Sequence, residues 1–133
     1  MTSRPSLRVV VGAFVLDTVL VILFAVIGRA SHDSTPFGLG LLQTAWPFLA
    51  GLAFGWIVTV AWRHPISVVP TGVGVWALTV GGGMLLRTMT DQGTALPFVI
   101  VATLTLALLL IGWRVLAGIV RRTRSRGVSE PAA

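Results

Sequence analysis

The sequence contains no cysteine, lysine, asparagine or tyrosine, and acidic residues are scarce. Without cysteine, the chain can form no disulfide, no thiolate metal site and no cysteine nucleophile. Its four acids stand against ten arginines, which gives a formal net charge of +6 at pH 7. Lysine, asparagine and tyrosine have AT-rich codons, so their absence indicates a GC-rich, bacterial genome.

Apolar residues, by contrast, are abundant. Of the 133 residues, 55% are hydrophobic and only 11% are charged, and the mean hydropathy is +0.92. A soluble domain of this size could not bury so much apolar surface. The apolar residues fall into four runs that are each about 26–30 Å long as helices, enough to cross a bilayer. The pattern therefore predicts an all-α membrane protein with four transmembrane helices, a four-helix bundle, with spans at about 9–28, 45–62, 70–86 and 95–113.

Caps and charges refine this prediction. Thr44 and Thr94 are predicted to cap the second and fourth helices, placing Pro47 and Pro97 in their first turns. Eight arginines lie on the side of the termini and two on the other, so the positive-inside rule places both termini in the cytoplasm of a bacterial plasma membrane. We therefore divide the chain into a cytoplasmic N-terminus (1–8), a transmembrane domain (9–120) and a basic, disordered cytoplasmic tail (121–133).

Short motifs recur on the predicted outer side. Arg29 and Arg87 each end an odd-numbered helix and are each followed four residues later by an aspartate. Thr-Ala-x-Pro-Phe opens both even-numbered helices, fifty positions apart. Either the chain is two repeated helical hairpins of the same orientation, whose outer loops lie side by side, or the loops converged on the same anchoring and capping residues.

Asp17 is the most informative polar residue, because it interrupts the first span near mid-depth. Such acids usually face the interior of the protein. With no cation expected at its depth, we predict a protonated carboxyl. Its predicted partners are neutral: Trp76, Thr79, Thr103 or Thr105. Asp17 is then either a proton- or cation-coupling group or a hydrogen-bonding tie between helices.

Two further sets of residues are candidate sites. The outer polar cluster could hold an anion or a headgroup, or could consist of solvated loop charges; one histidine beside one aspartate is too few for a metal site or a catalytic base. Its members are Arg29, His32, Asp33, Gln43, Arg87 and Asp91. Four arginines of the tail (Arg121, Arg122, Arg124 and Arg126) are expected to contact anionic lipid headgroups.

Small residues mark predicted packing faces. Gly51 and Gly55 form a GxxxG motif, which serves contacts within a chain or between copies. Gly81, Gly82 and Gly83 indicate either close packing or a hinge, since consecutive glycines weaken a helix.

Several landmarks together resemble the domain-of-unknown-function family 3054, small four-helix membrane proteins of actinobacteria and haloarchaea. These are Asp17, Gly28-Arg-x-Ser-His32, Thr44-Ala-Trp-Pro-Phe48, Gly55-Trp56, Arg87 with Gln92-Gly-Thr94, and Gly112-Trp-Arg114. The resemblance covers about residues 7–116. It implies a four-helix membrane protein and no assigned activity.

The sequence favours a non-enzymatic accessory or scaffold protein that acts through helix packing, since no nucleophile and base occur in a catalytic arrangement. The alternative is a small proton- or cation-coupled transporter or channel that uses Asp17. The expected partners are the bilayer, with a second copy or another membrane protein as further candidates. We expect no nucleic acid, metal or cofactor.

Overall fold

The computed structural model describes residues 3–31 and 37–128, and these residues are almost entirely helical. The elements are α1 (Leu7–Ala30), α2 (Leu39–Val58), α3 (Val73–Met89), α4 (Leu96–Leu106) and α5 (Gly112–Val128). An irregular turn (Val68–Gly72) precedes α3, and a π-helical turn (Ala107–Ile111) joins α4 to α5 in one long rod.

Four of these helical stretches are long and apolar enough to cross a membrane: Leu7–Ala30, Leu39–Val58, Val68–Met89 and Leu96–Gly127. The prediction of an all-α, multi-pass membrane protein is confirmed. Four crossings bring both ends of the chain to one side. We call that side, with the α2–α3 connection, the terminal face, and the side of the α1–α2 and α3–α4 connections the loop face.

The helix ends differ in part from the prediction. Ser6 caps α1, its hydroxyl accepting from the Val9 N–H at 3.3 Å. Thr44 is not a cap, because α2 begins at Leu39, just after Gly38 at φ +96°. Pro47 is therefore inside α2, where its missing N–H affects the carbonyl of Gln43, near the helix start. The second span thus begins and ends several residues earlier than expected.

The fourth span was predicted more closely at its start than at its end. Ala95, not Thr94, precedes α4, although Pro97 does lie in its first turn. The basic tail was expected to be disordered from residue 121, but α5 continues to Val128. Arginine is a good helix former, and cations are favourable near a helix C-terminus, which explains the extension. Residues 129–133 lie outside the described part of the chain.

The closest helix contact is between α2 and α3. A Cβ added at Gly51 would lie 2.9 Å from the carbonyl oxygens of Leu78 and Thr79, and one at Gly55 would lie 3.2 Å from the Cα of Val75. The GxxxG motif therefore serves a contact within the chain, between α2 and α3. Side chains larger than hydrogen would separate these two backbones.

Two of the three consecutive glycines of α3, Gly82 and Gly83, serve the same interface. A Cβ at Gly82 would lie 3.2 Å from the Cα of Gly51, and one at Gly83 would collide with the ring of Phe48. Of the two alternatives for Gly81–Gly83, the structure shows the close packing, and α3 is continuous from Val73 to Met89 without a kink at the glycines. Near the loop face, Phe24, Phe48 and Phe98 form an aromatic cluster with centroid distances of 5.2–6.5 Å.

Candidate functional site

The polar centre of the molecule is a fully buried network around Asp17. Both carboxylate oxygens of Asp17 accept from the guanidinium of Arg114: Nη1 donates to Oδ1 at 3.0 Å and Nη2 to Oδ2 at 2.7 Å. Trp113 Nε1 donates to Oδ1 at 2.8 Å, and Trp56 Nε1 donates to Oδ2 at 2.9 Å. Asp17 and Arg114 each have 0% of their surface exposed. Asp17 and Arg114 form the one ion pair that the structure shows between described residues.

Arg114 also donates to two backbone carbonyls, so that four of its five N–H groups have partners. Its Nε donates to the carbonyl of Pro65 at 2.9 Å, and Nη1 also donates to the carbonyl of Leu110 at 2.8 Å. The guanidinium carbon lies 4.6 Å from the centroid of the Trp113 ring. One side chain therefore joins α1, the α2–α3 connection and the fourth span. Removing it would leave several buried polar groups without partners.

The fold places these residues together through helix periodicity. Ala102, Leu106, Leu110 and Arg114 follow one another at four-residue spacing and are all 0% exposed, so they form one buried stripe of the fourth span. The π-helical turn immediately before α5 has a wider winding, which changes the direction in which Trp113 and Arg114 project relative to a continuous α-helix. Such turns occur often at functional sites.

The prediction that Asp17 has no cationic partner is wrong. Arg114 is that partner, and each carboxyl oxygen of Asp17 accepts from two donors. The prediction counted Arg114 among the eight arginines on the side of the termini and so expected no cation at the depth of Asp17. It ignored the reach of a long side chain, which here turns inward to the acid instead of outward to water.

None of the predicted neutral partners contacts Asp17. Trp76 Nε1 donates to the carbonyl of Thr103 at 2.9 Å, and the hydroxyl of Thr103 donates to the carbonyl of Val99 at 2.7 Å. The hydroxyl of Thr79 is buried without a hydrogen-bond partner. Trp113, in contrast, is part of the network around Asp17.

The sequence did hold a signal for Arg114, which the prediction missed. Arg114 comes directly after the fourth apolar run, so its long side chain could turn back into the span and reach an acid in another span. A buried acid in one span and a cation at the inward end of another are expected to pair. Trp56 carried no comparable signal, because a tryptophan in an apolar span is ordinarily lipid-facing or core.

On the loop face, the two arginines of the predicted cluster make separate contacts. Arg29 Nη1 donates to the hydroxyl of Thr44 at 3.3 Å. Arg87 donates to the side chain and carbonyl of Gln92 and to the carbonyl of Gly93, at 3.0–3.2 Å, and its guanidinium lies 4.4 Å from the Phe98 ring centroid. Each arginine thus contacts the Thr-Ala-x-Pro-Phe segment of the next helix. Arg29 does so by a hydrogen bond to Thr44, and Arg87 by its guanidinium over the ring of Phe98. Hairpin duplication stays a prediction.

Arg87 and Asp91 do not form an ion pair with each other in this structure. Arg87 instead closes the α3–α4 turn, and Asp91 is exposed in a left-handed conformation at φ 56°. Gln43 is exposed on α2, and no described contact joins it to either arginine. His32 and Asp33 lie outside the described residues, so the joint anion site of the outer cluster stays a prediction. Within the described ranges, no group of three or more histidine or acidic side chains could hold a metal ion.

The chemistry available to the central network follows from its hydrogen bonds. The carboxylate has its acceptor positions filled, and neither charged group touches solvent. Proton transfer to or from Asp17 would first require breaking the bidentate ion pair. In this conformation, the network is suited to holding helices together and not to relaying protons.

Comparison with protein families agrees with this architecture. A family model described as "Protein of unknown function (DUF3054)" matches residues 14–117, which include all four side chains of the network. No curated protein and no solved structure matches the chain.

Proposed function

The chain belongs to the domain-of-unknown-function family 3054, and we propose that it is a non-enzymatic accessory or scaffold protein that acts through helix packing in the bacterial plasma membrane. The observation that carries this proposal is the state of Asp17: the intramembrane acid is fully buried and its hydrogen-bonding capacity is used within the chain. An acid that couples transport to a proton or cation needs access to water or to that ion.

The proposed orientation has both termini in the cytoplasm. The terminal face carries Arg4, Arg8, Arg63 and the arginines of α5, whereas the described loop face carries Arg29 and Arg87. Arg114 no longer counts toward this comparison, because Asp17 neutralises it inside the protein. The remaining excess still favours a cytoplasmic terminal face.

Two experiments test the proposal. Extraction of the tagged, full-length protein from its native membranes in a mild detergent should yield a defined complex with another membrane protein. Recovery of only free monomer, under conditions that preserve known membrane complexes, would contradict an accessory role.

The second experiment compares Asp17→Asn with Asp91→Asn, which makes the same chemical change at an exposed acid. Both variants and the wild type are reconstituted in vesicles, and proton flux is followed with a trapped pH dye. We expect no flux that depends on Asp17. If the wild type carries protons, and Asp17→Asn abolishes the flux while the protein stays folded, the transporter alternative replaces our proposal.

A further inference from the structure

A basic cleft opens at the terminal face, away from the Asp17 network. It consists of two adjoining cavities of about 1020 and 390 Å³, both lined by Ser3, Pro5, Arg63 and His64. Three parts of the chain thus meet there: the segment before α1, the α2–α3 connection and α5, which contributes Arg121 to the smaller cavity. A cleft of this volume can accommodate a small organic ligand or a lipid headgroup.

The charged residues of the cleft have one sign. Arg4, Arg63 and Arg121 line it together with His64, and all four side chains are exposed. No acidic side chain is among its described lining residues, and the three guanidinium groups make no hydrogen bond or ion pair with any other described residue. Arg63 lines both cavities, Arg4 the larger and Arg121 the smaller, and an anion bound in the cleft would reduce the repulsion between these like charges. Arginine is well suited to phosphate, which it binds through paired N–H donors.

The other wall of the cleft is apolar. Leu7 and Val10 of α1 and Trp62, just after α2, line the larger cavity. Tryptophan is typical of the level of lipid headgroups. The cleft therefore combines a cationic wall with an apolar wall at the end of the membrane-spanning helices, which matches a molecule with a phosphate group and an acyl chain.

We propose that this cleft binds one anionic phospholipid, with its phosphate between Arg4, Arg63 and Arg121 and the beginning of its acyl chains against Leu7, Val10 and Trp62. The site differs from a general attraction of the basic tail to the membrane surface, because it draws residues from three separate segments. It goes beyond the proposed accessory function, and neither depends on the other.

The position of the cleft also connects it to the buried network. Pro65 lines the smaller cavity, and its carbonyl accepts the Nε–H of Arg114. A lipid in the cleft would hold the α2–α3 connection in the position that this hydrogen bond requires. Lipid binding is therefore expected to stabilise the folded chain by mass action.

The test compares two variants with the same change in charge. The cleft variant is Arg4→Gln/Arg63→Gln/Arg121→Gln, and the control is Arg8→Gln/Arg122→Gln/Arg124→Gln, whose arginines do not line the cleft. Native mass spectrometry of each full chain, titrated with phosphatidylglycerol or phosphatidylcholine, counts the lipids retained. Circular dichroism checks that both variants stay helical.

We expect the wild type and the control to retain one phosphatidylglycerol in preference to phosphatidylcholine. The cleft variant should bind it about tenfold more weakly for each guanidinium removed, as expected for charge-assisted hydrogen bonds. Equal losses in both variants would overturn the site in favour of surface attraction. Equal retention of both lipids by the wild type would also overturn it.

A separate measurement distinguishes a lipid from a soluble anion. Inorganic phosphate alone is titrated into the detergent-solubilised protein, and binding is followed by calorimetry. We expect no saturable binding at millimolar phosphate, since the apolar wall contributes nothing to a free anion. Saturable binding that the cleft variant loses would assign the cleft to a soluble phosphate compound and overturn the lipid assignment.

Discussion

Separating the Asp17–Arg114 pair should destabilise the protein more than the loss of an ordinary interhelical hydrogen bond. We consider three variants: Asp17→Leu, Arg114→Met and the double substitution. The bidentate contact has two charge-assisted hydrogen bonds at 3.0 and 2.7 Å, and both residues are fully buried. Each such bond contributes about 1.5–3 kcal/mol, whereas neutral hydrogen bonds between transmembrane helices average about 0.6 kcal/mol.

The single variants are expected to differ from each other. Asp17→Leu leaves a buried guanidinium that cannot lose its charge, so it should cost about 4 kcal/mol of the free energy of unfolding. Arg114→Met leaves a carboxylate that keeps the indole N–H groups of Trp56 and Trp113 and can become neutral by taking up a proton, so about 2 kcal/mol is expected. The double variant carries no buried charge and should lose about 3 kcal/mol, chiefly through the two indole donors left without an acceptor.

These values correspond to a coupling energy of about 3 kcal/mol between the two side chains. Unfolding of each variant is followed in mixed micelles by far-ultraviolet circular dichroism as sodium dodecyl sulfate is added. Tryptophan fluorescence is unsuitable, because Trp56 and Trp113 belong to the network. A coupling energy below about 1 kcal/mol, the range of neutral interhelical hydrogen bonds, would refute the reasoning.

Two further predictions concern the α2–α3 interface and use the same unfolding assay. Gly51→Ala should lower the free energy of unfolding by about 1–3 kcal/mol, because the added Cβ would lie 2.9 Å from two backbone oxygens. The control is Gly81→Ala, whose added Cβ has nothing within 4 Å, so the free energy of unfolding should be unchanged or higher. Equal effects at the two positions would contradict an interface held by close backbone contact. Thr79→Val removes a buried hydroxyl that has no partner, so we expect stability to be unchanged or higher by up to about 1 kcal/mol. A loss larger than that would show that the hydroxyl is used in the folded protein.

The number of helices was predictable because lipid requires each span to satisfy its own backbone and to be apolar over its length. Helix ends were less predictable. Gly40, Gln43 and Thr44 lower the hydropathy before Ala45, so the apolar run starts later than α2 does. The irregular turn before α3 also adds Val68 and Val69 to the third span, which was predicted to begin at Pro70.

The central site was only half predictable. Asp17 stood out because a carboxylate in an apolar span is costly wherever it points. Its partner lies 97 residues away in the chain, and their contact depends on how the first and fourth spans are rotated and where the π-helical turn falls. Sequence periodicity indicates which face of a helix is buried but not which other face it meets. The donors Trp56 and Trp113 needed the packed structure for the same reason.

The two kinds of interface in this protein explain why a costly ion pair is placed between its first and last spans. Between α2 and α3, glycines allow the backbones to approach, so van der Waals contact can hold the helices together. The first span and α5 have glycines too, but Cβ atoms at Gly12, Gly28, Gly112 and Gly118 would meet nothing within 4 Å. These four glycines therefore do not serve a close backbone contact. Because lipid is as favourable an environment for apolar side chains as another helix, packing alone should stabilise the association of these helices only weakly. A directional polar contact stabilises their association, since Asp17 and Arg114 find the opposite charge, among the described residues, in each other.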